Sequence, residues 1–257
     1  MIKGRNLINI LGRKFPKRIA KKNHDFVGLM AGYIPAEVKK ILLCLDYDSG
    51  VHEVAKQFKP DLILTHHPFI YGTPKEVFET DPLKKALYID VVKKGLCIYS
   101  MHTNFDEAKD GMNDALSEAL GLKEVYAPEA EPCMRIGYLD SEMEIRKFAR
   151  YACKQLKVNH CGLLPFGKQH IKKVGIVGGG GSYFYPVAIK EGCDVYISGD
   201  TPHHVRRAIL EYKFSYIDMP HEIEKIFVYQ MQKILLNIDP KLEILPVDHE
   251  KEIEVII

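Results

Sequence analysis

The 257-residue sequence lacks several features that would place it in a special class of protein. It has no charge bias, because 36 basic and 34 acidic side chains leave a formal charge of +2, which does not favour nucleic acid or an anionic membrane as a partner. No apolar stretch approaches the ~20 residues of a membrane span. The N-terminal segment, residues 1–18, shows no signal-peptide pattern with a cleavage site. We therefore expect a cytoplasmic protein.

The sequence also lacks the patterns of serine or cysteine catalysis. None of its six cysteines belongs to a CxxC pair, and no GxSxG turn is present. Cys44, Cys97 and Cys193 lie in or beside apolar runs, where buried reduced thiols are expected. A chain of this length buries roughly three-quarters of its unfolded surface, so it needs no structural metal to fold. A metal bound here would serve chemistry more than stability.

Strand and helix patterns alternate along the chain. Strands are predicted over 38–46, 61–65 and 96–101, with helical patterns between and after them. Proline and acidic residues accumulate over 126–134, and the alternation then restarts with a helix predicted over 141–156. Strands separated by helices of about 10–15 residues indicate βαβ units and a largely parallel sheet. The predicted fold class is α/β, with sheets flanked by helices.

Metal-binding side chains follow the predicted strands, where open α/β sheets gather their chemistry. His66 and His67 stand together in THHP, and Pro68 holds the preceding residue out of the helical region, so the bent backbone can redirect both rings. Two imidazoles that diverge slightly suit two metal ions roughly 3.5–4 Å apart. The next strand end offers His102 and Asp106. This pattern favours a dinuclear metal site.

A third strand-like run ends near Asp218, and a helix is predicted to begin near Pro220. His221 and Glu224 are three residues apart, so they share one face of a helical turn, and the carboxylate of Glu224 could bridge two cations. The predicted metal ligands mix nitrogen and oxygen donors and suit two ions of zinc, iron, manganese or cobalt, namely His66, His67, Asp106, His221 and Glu224. We expect His102 to act as a sixth ligand, to orient a ligand or to move a proton.

A shared site requires the last two ligands to return to the strand ends of the first. We therefore predict a first lobe of residues 1–125 with 220–257, which carries the ligands, and a second lobe of residues 126–219.

At these motifs the chain resembles the NIF-three-like family, whose members are often named GTP cyclohydrolase 1 type 2 homologs. HDFVGLMAG, from His24, resembles the family's WDNVGL-type opening, with His24 and Phe26 in place of tryptophan and asparagine. LILTHHPF is similar to its double-histidine motif, and MHTNFD followed by GMNDALSEALGL to its second block. The Gly-rich stretch from Val174 and IDMPHEIEK resemble its last two blocks, although Pro220 stands where glycine is usual.

The resemblance implies a NIF-three-like fold with a dinuclear metal site in the cleft between two lobes. It implies the same five metal ligands, a small-molecule substrate such as a nucleotide, and assembly into a ring-shaped homohexamer. Pro220 is compatible with these ligands, because proline is well tolerated in a first helical turn.

Two further motifs have alternative interpretations. The loop GIVGGGGS, 175–182, is interpreted as a tight strand-to-helix turn in preference to a phosphate cradle, because it lacks the lysine of a Walker motif. His203 and His204 are interpreted as structural or interface residues in preference to metal ligands.

The leading hypothesis for function is a metal-dependent hydrolase that uses a metal-activated water, with cyclohydrolase chemistry implied only by the family's label. Phosphoester or amide hydrolysis would use the same residues. The alternative is a non-catalytic protein that binds or stores metal or acts as a regulatory scaffold, because a ligand set does not reveal turnover.

Overall fold

The structure is a computed structural model, and it describes residues 1–256. The chain folds as two units, one formed by Met1–Ala108 with Phe227–Glu250 and the other by Lys109–Ile226 with the segment from Lys251. The lobe boundaries predicted from the sequence stay a prediction. Over the described residues, no helix combines the length and the apolar character that a membrane span requires.

Strands alternate with helices along most of the chain. The strands are β1 Ile2–Lys3, β2 Gly28–Ala31, β3 Glu37–Val38, β4 Lys40–Cys44, β5 Leu62–Thr65, β6 Ile98–Ser100, β7 Lys123–Tyr126, β8 Arg135–Glu144, β9 Gly162–Pro165, β10 His170–Ile176, β11 Val195–Gly199, β12 Ser215–Met219 and β13 Glu243–Val247. The α-helices are α1 Gly4–Lys14, α2 Lys17–Lys22, α3 Ser49–Phe58, α4 Pro74–Thr80, α5 Pro82–Lys93, α6 Thr103–Glu107, α7 Met112–Ala119, α8 Ile145–Leu156, α9 Tyr185–Lys190, α10 His203–Glu211 and α11 Ile226–Ile238. Two 3-10 helices span Ser182–Phe184 and His221–Lys225.

The first unit is built on a five-stranded sheet in the order β13-β4-β5-β6-β2. The pairs β13–β4, β4–β5 and β5–β6 are parallel, and β2 pairs with β6 in the antiparallel sense. Every residue of β5 is buried, which is typical of a parallel strand covered on both faces. The carboxyl ends of β4, β5 and β6 therefore meet at one edge of this sheet.

Helices complete the core of the first unit, and local signals set their limits. Asp48 caps α3 by accepting a hydrogen bond from the backbone N–H of Val51. Val51 and Ala55 of α3 then pack with Ile63 and other buried residues of the sheet in one hydrophobic cluster.

The second unit is built on a six-stranded sheet in the order β7-β8-β10-β11-β12-β9. Its centre is parallel, because β10, β11 and β12 run in one direction, whereas β7, β8 and β9 pair in the antiparallel sense at its two sides. β1 and β3 form a separate two-stranded sheet. The two larger sheets are flanked by helices, so the α/β fold class predicted from the sequence is confirmed.

One predicted helix begins later than expected. The helix predicted over 141–156 spans only Ile145–Leu156, because residues up to Glu144 belong to β8. Glu144 pairs with His170 of the neighbouring strand, and its side chain accepts a hydrogen bond from the N–H of Lys147. Strand pairing thus overrides the helix propensity of the acidic residues, and an acidic cap ends the strand where the helix begins.

Candidate metal centre

His66 and His67 follow β5 directly, as predicted from the sequence. Beyond Thr65, the backbone N–H groups of His66 and His67 still donate to the carbonyls of Cys44 and Leu45, at 3.2 and 3.0 Å. The hydroxyl of Thr65 donates to the carbonyl of His67 at 2.8 Å. The imidazole rings lie 5.1 Å apart and are inclined by 48°, so the two neighbouring side chains diverge while staying on one side of the sheet edge.

Each ring of this pair is oriented by a partner at Nδ1. Nδ1 of His66 donates to the carbonyl of Met101 at 2.9 Å, and Nδ1 of His67 donates to a carboxylate oxygen of Asp46 at 2.7 Å. The hydrogen bond from His67 lowers the pKa of Asp46 although burial, the largest single effect, acts to raise it. The partners come from the ends of β6 and β4, on either side of β5.

His102 lies at the end of β6 and is oriented in the same way. Its Nδ1 donates to Oδ2 of Asp25 at 2.8 Å, and the hydroxyl and N–H of Thr103 donate to the same oxygen. Burial would raise the pKa of Asp25, but the hydrogen bonds from His102 and Thr103 bring it down to about 2. Asp25 is therefore a carboxylate at neutral pH.

The residues predicted at the first two strand ends come together. One ring nitrogen from each of His66, His67 and His102 lies within 4.8 Å of the others, a spacing that could hold a metal ion. Oδ1 of Asp106 lies 3.4 Å from Nε2 of His66. Phe227 of α11 packs against the His66 ring, with centroids 5.3 Å apart. His66 is fully buried, so its orientation is set by packing as well as by hydrogen bonds.

The second unit holds the other two predicted ligands, His221 and Glu224. They lie on the 3-10 helix that follows β12, and residues i and i+3 of such a helix eclipse each other. Nε2 of His221 is 3.0 Å from Oε2 of Glu224, and its Nδ1 donates to Asp200 at 2.5 Å. The hydrogen bond to Glu224 raises the pKa of His221 to about 9, with Asp200 acting in the same direction and burial opposing it.

The Gly-rich loop lies beside these two side chains. A Cβ on Gly179 would lie 2.3 Å from Oε1 of Glu224 and 3.2 Å from Cε1 of His221, and Gly179 has a φ of +58°. The hydroxyl of Ser198 and the N–H of Gly199 both donate to the carbonyl of Gly179. The loop is thus a tight turn in which the missing side chain leaves room for the carboxylate of Glu224.

These side chains fit a divalent metal ion. A histidine that binds a metal almost always donates its other N–H to a carboxylate or a backbone carbonyl, which fixes the tautomer. Two groups of side chains contain such histidines: His66, His67 and His102 in the first unit, and His221 with Glu224 in the second. Each of these four histidines donates through Nδ1, so Nε2 is the nitrogen that would face an ion. The donors are imidazole and carboxylate without thiolate, a mixture suited to zinc, iron, manganese or cobalt.

Sequence spacing does not predict the carboxylates that orient the histidines. Asp46 and Asp25 lie 21 and 77 residues away from the histidines they orient, so no local spacing reveals the pairs. Asp25 does belong to the HDFVGL motif, which was the available signal. Asp200 follows β11 directly, and this position at a strand end is its only local signal.

The second histidine pair takes no part in these groups. His203 and His204 occupy the first turn of α10, where both are exposed, and Nε2 of His204 is 3.2 Å from the hydroxyl of Tyr183.

The chain is similar to one family of known proteins. The family described as Duf34/NIF3 (NGG1p interacting factor 3) matches residues 2–252. A GTP cyclohydrolase 1 type 2 homolog of Clostridium perfringens is 33% identical over 222 residues, which are 84% of each chain. A protein of the same name from Methanocaldococcus jannaschii is 27% identical over 249 residues, covering 96% of this chain and all of the relative.

Solved structures share the fold. A Bacillus cereus protein related to NIF3 superposes with a TM-score of 0.87 at 21% identity, over 100% of this chain and 99% of the other. A hypothetical protein of Staphylococcus aureus gives 0.88 at 20% identity, over 98% and 99%.

Proposed function

The chain belongs to the Duf34/NIF3 family, and from this premise we propose that it is a dinuclear-metal-dependent hydrolase that acts on a nucleotide or another small molecule. The observation that carries the proposal is the orientation of the histidines. Four imidazoles in two groups each donate Nδ1–H to a fixed acceptor, and three of those acceptors are carboxylates. An Nδ1–H that donates to a carboxylate or a backbone carbonyl is typical of histidines that bind a metal through Nε2.

Five side chains would hold two divalent ions. They are the set expected from the sequence, His66, His67, Asp106, His221 and Glu224. His66 is fully buried and Glu224 nearly so, and burying such polar groups is costly unless a partner compensates them. Two bound ions would polarise a substrate oxygen and lower the pKa of water towards neutrality.

His102 would transfer protons, and nearby carboxylates would hold the histidines in position. Asp25 accepts Nδ1–H of His102 and is itself fixed by Thr103, so Nε2 of His102 could take a proton from a reacting group and release it later. We propose His102 as the catalytic residue on this basis. Asp46 and Asp200 would act as positioning residues that keep His67 and His221 in the tautomer that binds a metal.

The relatives' name suggests one class of reaction. Cyclohydrolase chemistry on a purine nucleotide begins with water adding to a polarised ring carbon, which suits this set of side chains, and phosphoester or amide hydrolysis would use them equally well. By resemblance to the family we further propose a homohexamer. A cytoplasmic location also stays a prediction.

The first experiment measures metal and turnover together. Protein purified without chelator is analysed for metal content and then tested against nucleotides, phosphoesters and small amides. We expect about two equivalents of a divalent metal per chain. His67→Ala should lower both metal content and turnover, whereas His203→Ala, at an exposed histidine outside both groups, should change neither.

Each outcome of this experiment selects one function. Turnover that His67→Ala abolishes supports the hydrolase. Tight metal binding with no turnover of any substrate class supports the alternative, a metal-binding, metal-storage or regulatory scaffold protein. A preparation that binds no divalent metal contradicts both. Light scattering on the same preparation tests the hexamer, which predicts a mass six times that of the chain.

A further inference from the structure

A pocket of about 330 Å³ opens next to His102 in the first unit. Asp25 connects the pocket to His102, because Asp25 lines the pocket and also accepts the hydrogen bond from Nδ1 of His102. The pocket volume lies at the lower end of the range of small-molecule sites, about 300–1,000 Å³. A ligand in this pocket would thus lie beside the histidine group without being enclosed by it.

The wall of the pocket is apolar and partly aromatic. It contains Phe26, Val27, Leu29, Met30 and Ile70. Phe26 and Leu29 are 38% and 44% exposed, although large apolar side chains are usually buried. The ring of Tyr71 meets that of Phe26 edge-on, with centroids 5.5 Å apart, which holds the exposed Phe26 ring in place. Such a wall fits a flat ring.

Two lysine residues line the same pocket. Lys17 and Lys21 are one helical turn apart on α2, and both line it. Over residues 1–256, neither has a carboxylate within salt-bridge distance, and Nζ of Lys17 instead lies 5.1 Å from the centre of the Tyr99 ring. Gly28 leaves space for this side chain, because a Cβ there would lie 2.3 Å from Nζ.

The one carboxylate of the pocket does not neutralise these lysines. Oδ2 of Asp25 accepts from His102 and Thr103, and Oδ1 accepts the N–H of Phe26 at 2.7 Å. Burial, and then the charge of Lys21, lower the pKa of Lys17, so an anion bound between the two lysines would relieve their repulsion. Within the part of the chain that the structure describes, neither lysine has a carboxylate within salt-bridge distance, and two such like charges on a small pocket favour an anionic ligand.

We propose that this pocket binds an aromatic or heteroaromatic molecule that carries a phosphate or carboxylate group. The ring packs against Phe26 and Leu29, and Lys17 and Lys21 bind the anion. The proposal rests on the proposed function for the view that this ligand is the substrate of the adjacent metal centre. The pocket itself is defined by residues outside the metal ligands, so binding can be tested with or without metal.

The test is calorimetric titration of the full chain with GMP and phenyl phosphate, compared with guanosine and with inorganic phosphate. We expect GMP or phenyl phosphate to bind more tightly than the ring or the anion alone. The double variant Lys17→Ala/Lys21→Ala should weaken their binding about tenfold or more, because hydrogen bonds to charged groups are lost. Phe26→Ala should weaken it about fivefold or more through lost stacking.

The controls keep the same chemistry outside the pocket. Lys22→Ala removes a lysine from the same helix, and Tyr33→Ala removes an aromatic side chain that is 86% exposed. Both should leave binding unchanged. The three pocket positions are exposed, and unfolding midpoints equal to that of the wild type will establish that their variants fold.

Some results would overturn the proposal. It fails if neither GMP nor phenyl phosphate binds the wild type, if guanosine or inorganic phosphate binds as tightly as the joined molecules, or if the pocket variants bind like the controls. The metal content of the purified protein is measured, and each titration is then repeated after the metal has been removed. Purified protein that contains no metal would refute the proposed function and leave the result for the pocket standing. Unchanged ligand binding in the pocket variants would refute only the pocket proposal.

Discussion

Gly179→Ala places a methyl group where the carboxylate of Glu224 lies. The new Cβ would be 2.3 Å from Oε1 and 3.0 Å from Cδ of Glu224, closer than nonbonded atoms approach each other. Backbone around Gly179 cannot shift easily, because its carbonyl accepts hydrogen bonds from Ser198 and Gly199. We therefore expect Glu224 to move, and with it one of the proposed metal ligands.

Gly179→Ala should change both the folding stability and the metal affinity of the protein. The φ of +58° at Gly179 lies in the left-handed region, where an alanine costs about 1–2 kcal/mol of folding free energy. This corresponds to a fall of about 2–8 °C in the unfolding midpoint. Displacement of the carboxylate should lower metal affinity by at least the roughly 10–100-fold that loss of a group orienting a metal ligand costs, because Glu224 is itself a proposed ligand.

Chelator competition measures the metal affinity, and differential scanning calorimetry of metal-free protein measures the stability. Gly180→Ala is the matched control, because its nearest neighbour would be Oδ2 of Asp200 at 3.8 Å and its φ is not left-handed. A Gly179→Ala protein that binds metal as tightly as Gly180→Ala would refute the view that the loop makes room for a metal ligand.

Three further substitutions test other contacts. Asp46→Asn should lower metal affinity about 10–100-fold in chelator competition, because the charged acceptor for Nδ1 of His67 is lost. Phe227→Ala should lower the free energy of unfolding by about 3–5 kcal/mol in urea titrations, because a fully buried ring that packs on His66 is removed. Asp194→Asn should destabilise the protein by about 1–3 kcal/mol at pH 7, and the deficit should shrink in acid.

The pH dependence at Asp194 follows from its partners. Burial acts to raise its pKa, but Lys168 and the backbone N–H groups of Lys173 and Lys172 together lower it. A carboxyl whose folded pKa is depressed stabilises the fold above its unfolded pKa, and this contribution is lost as pH falls through the folded value. The difference between wild type and Asp194→Asn should thus be constant above about pH 5 and narrow below about pH 4.

Exposed positions supply the controls for these substitutions. Asp140→Asn removes an exposed carboxylate and should leave metal affinity unchanged, and Leu236→Ala, at a side chain that is 38% exposed, should cost far less stability than Phe227→Ala. Equal effects within either pair would contradict the specific contact assigned to Asp46 or to Phe227. A deficit in Asp194→Asn that stays constant from pH 7 to pH 3 would contradict the assigned titration.

The strand ends were predictable because their signals are local. The largely apolar run 61–65 predicts a buried strand. The polar residues immediately after it must then lie at the edge of the sheet. The spacing of His221 and Glu224 likewise predicts a shared helical face, and their contact at 3.0 Å confirms it. Spacing could not tell an α-helix from the 3-10 helix that is present there, because both bring i and i+3 together.

Other features depend on contacts between distant residues. The pairs of Asp25 with His102 and of Asp46 with His67 exist only after the sheet has formed. The start of α8 at Ile145 is set by pairing of β8 with β10, about 26 residues away, against the local helix propensity. Sequence patterns report local preferences, and these features are decided by tertiary pairing.

Anomalous diffraction from crystals grown with zinc tests the metal centre most directly. The proposal predicts two strong peaks per chain, with Nε2 of His66 and Nε2 of His67 each about 2.0–2.1 Å from an ion. Their Nδ1 atoms should keep the hydrogen bonds to Met101 and Asp46. Crystals replete in zinc that show no peak beside these rings, or an ion bound through Nδ1, would contradict it.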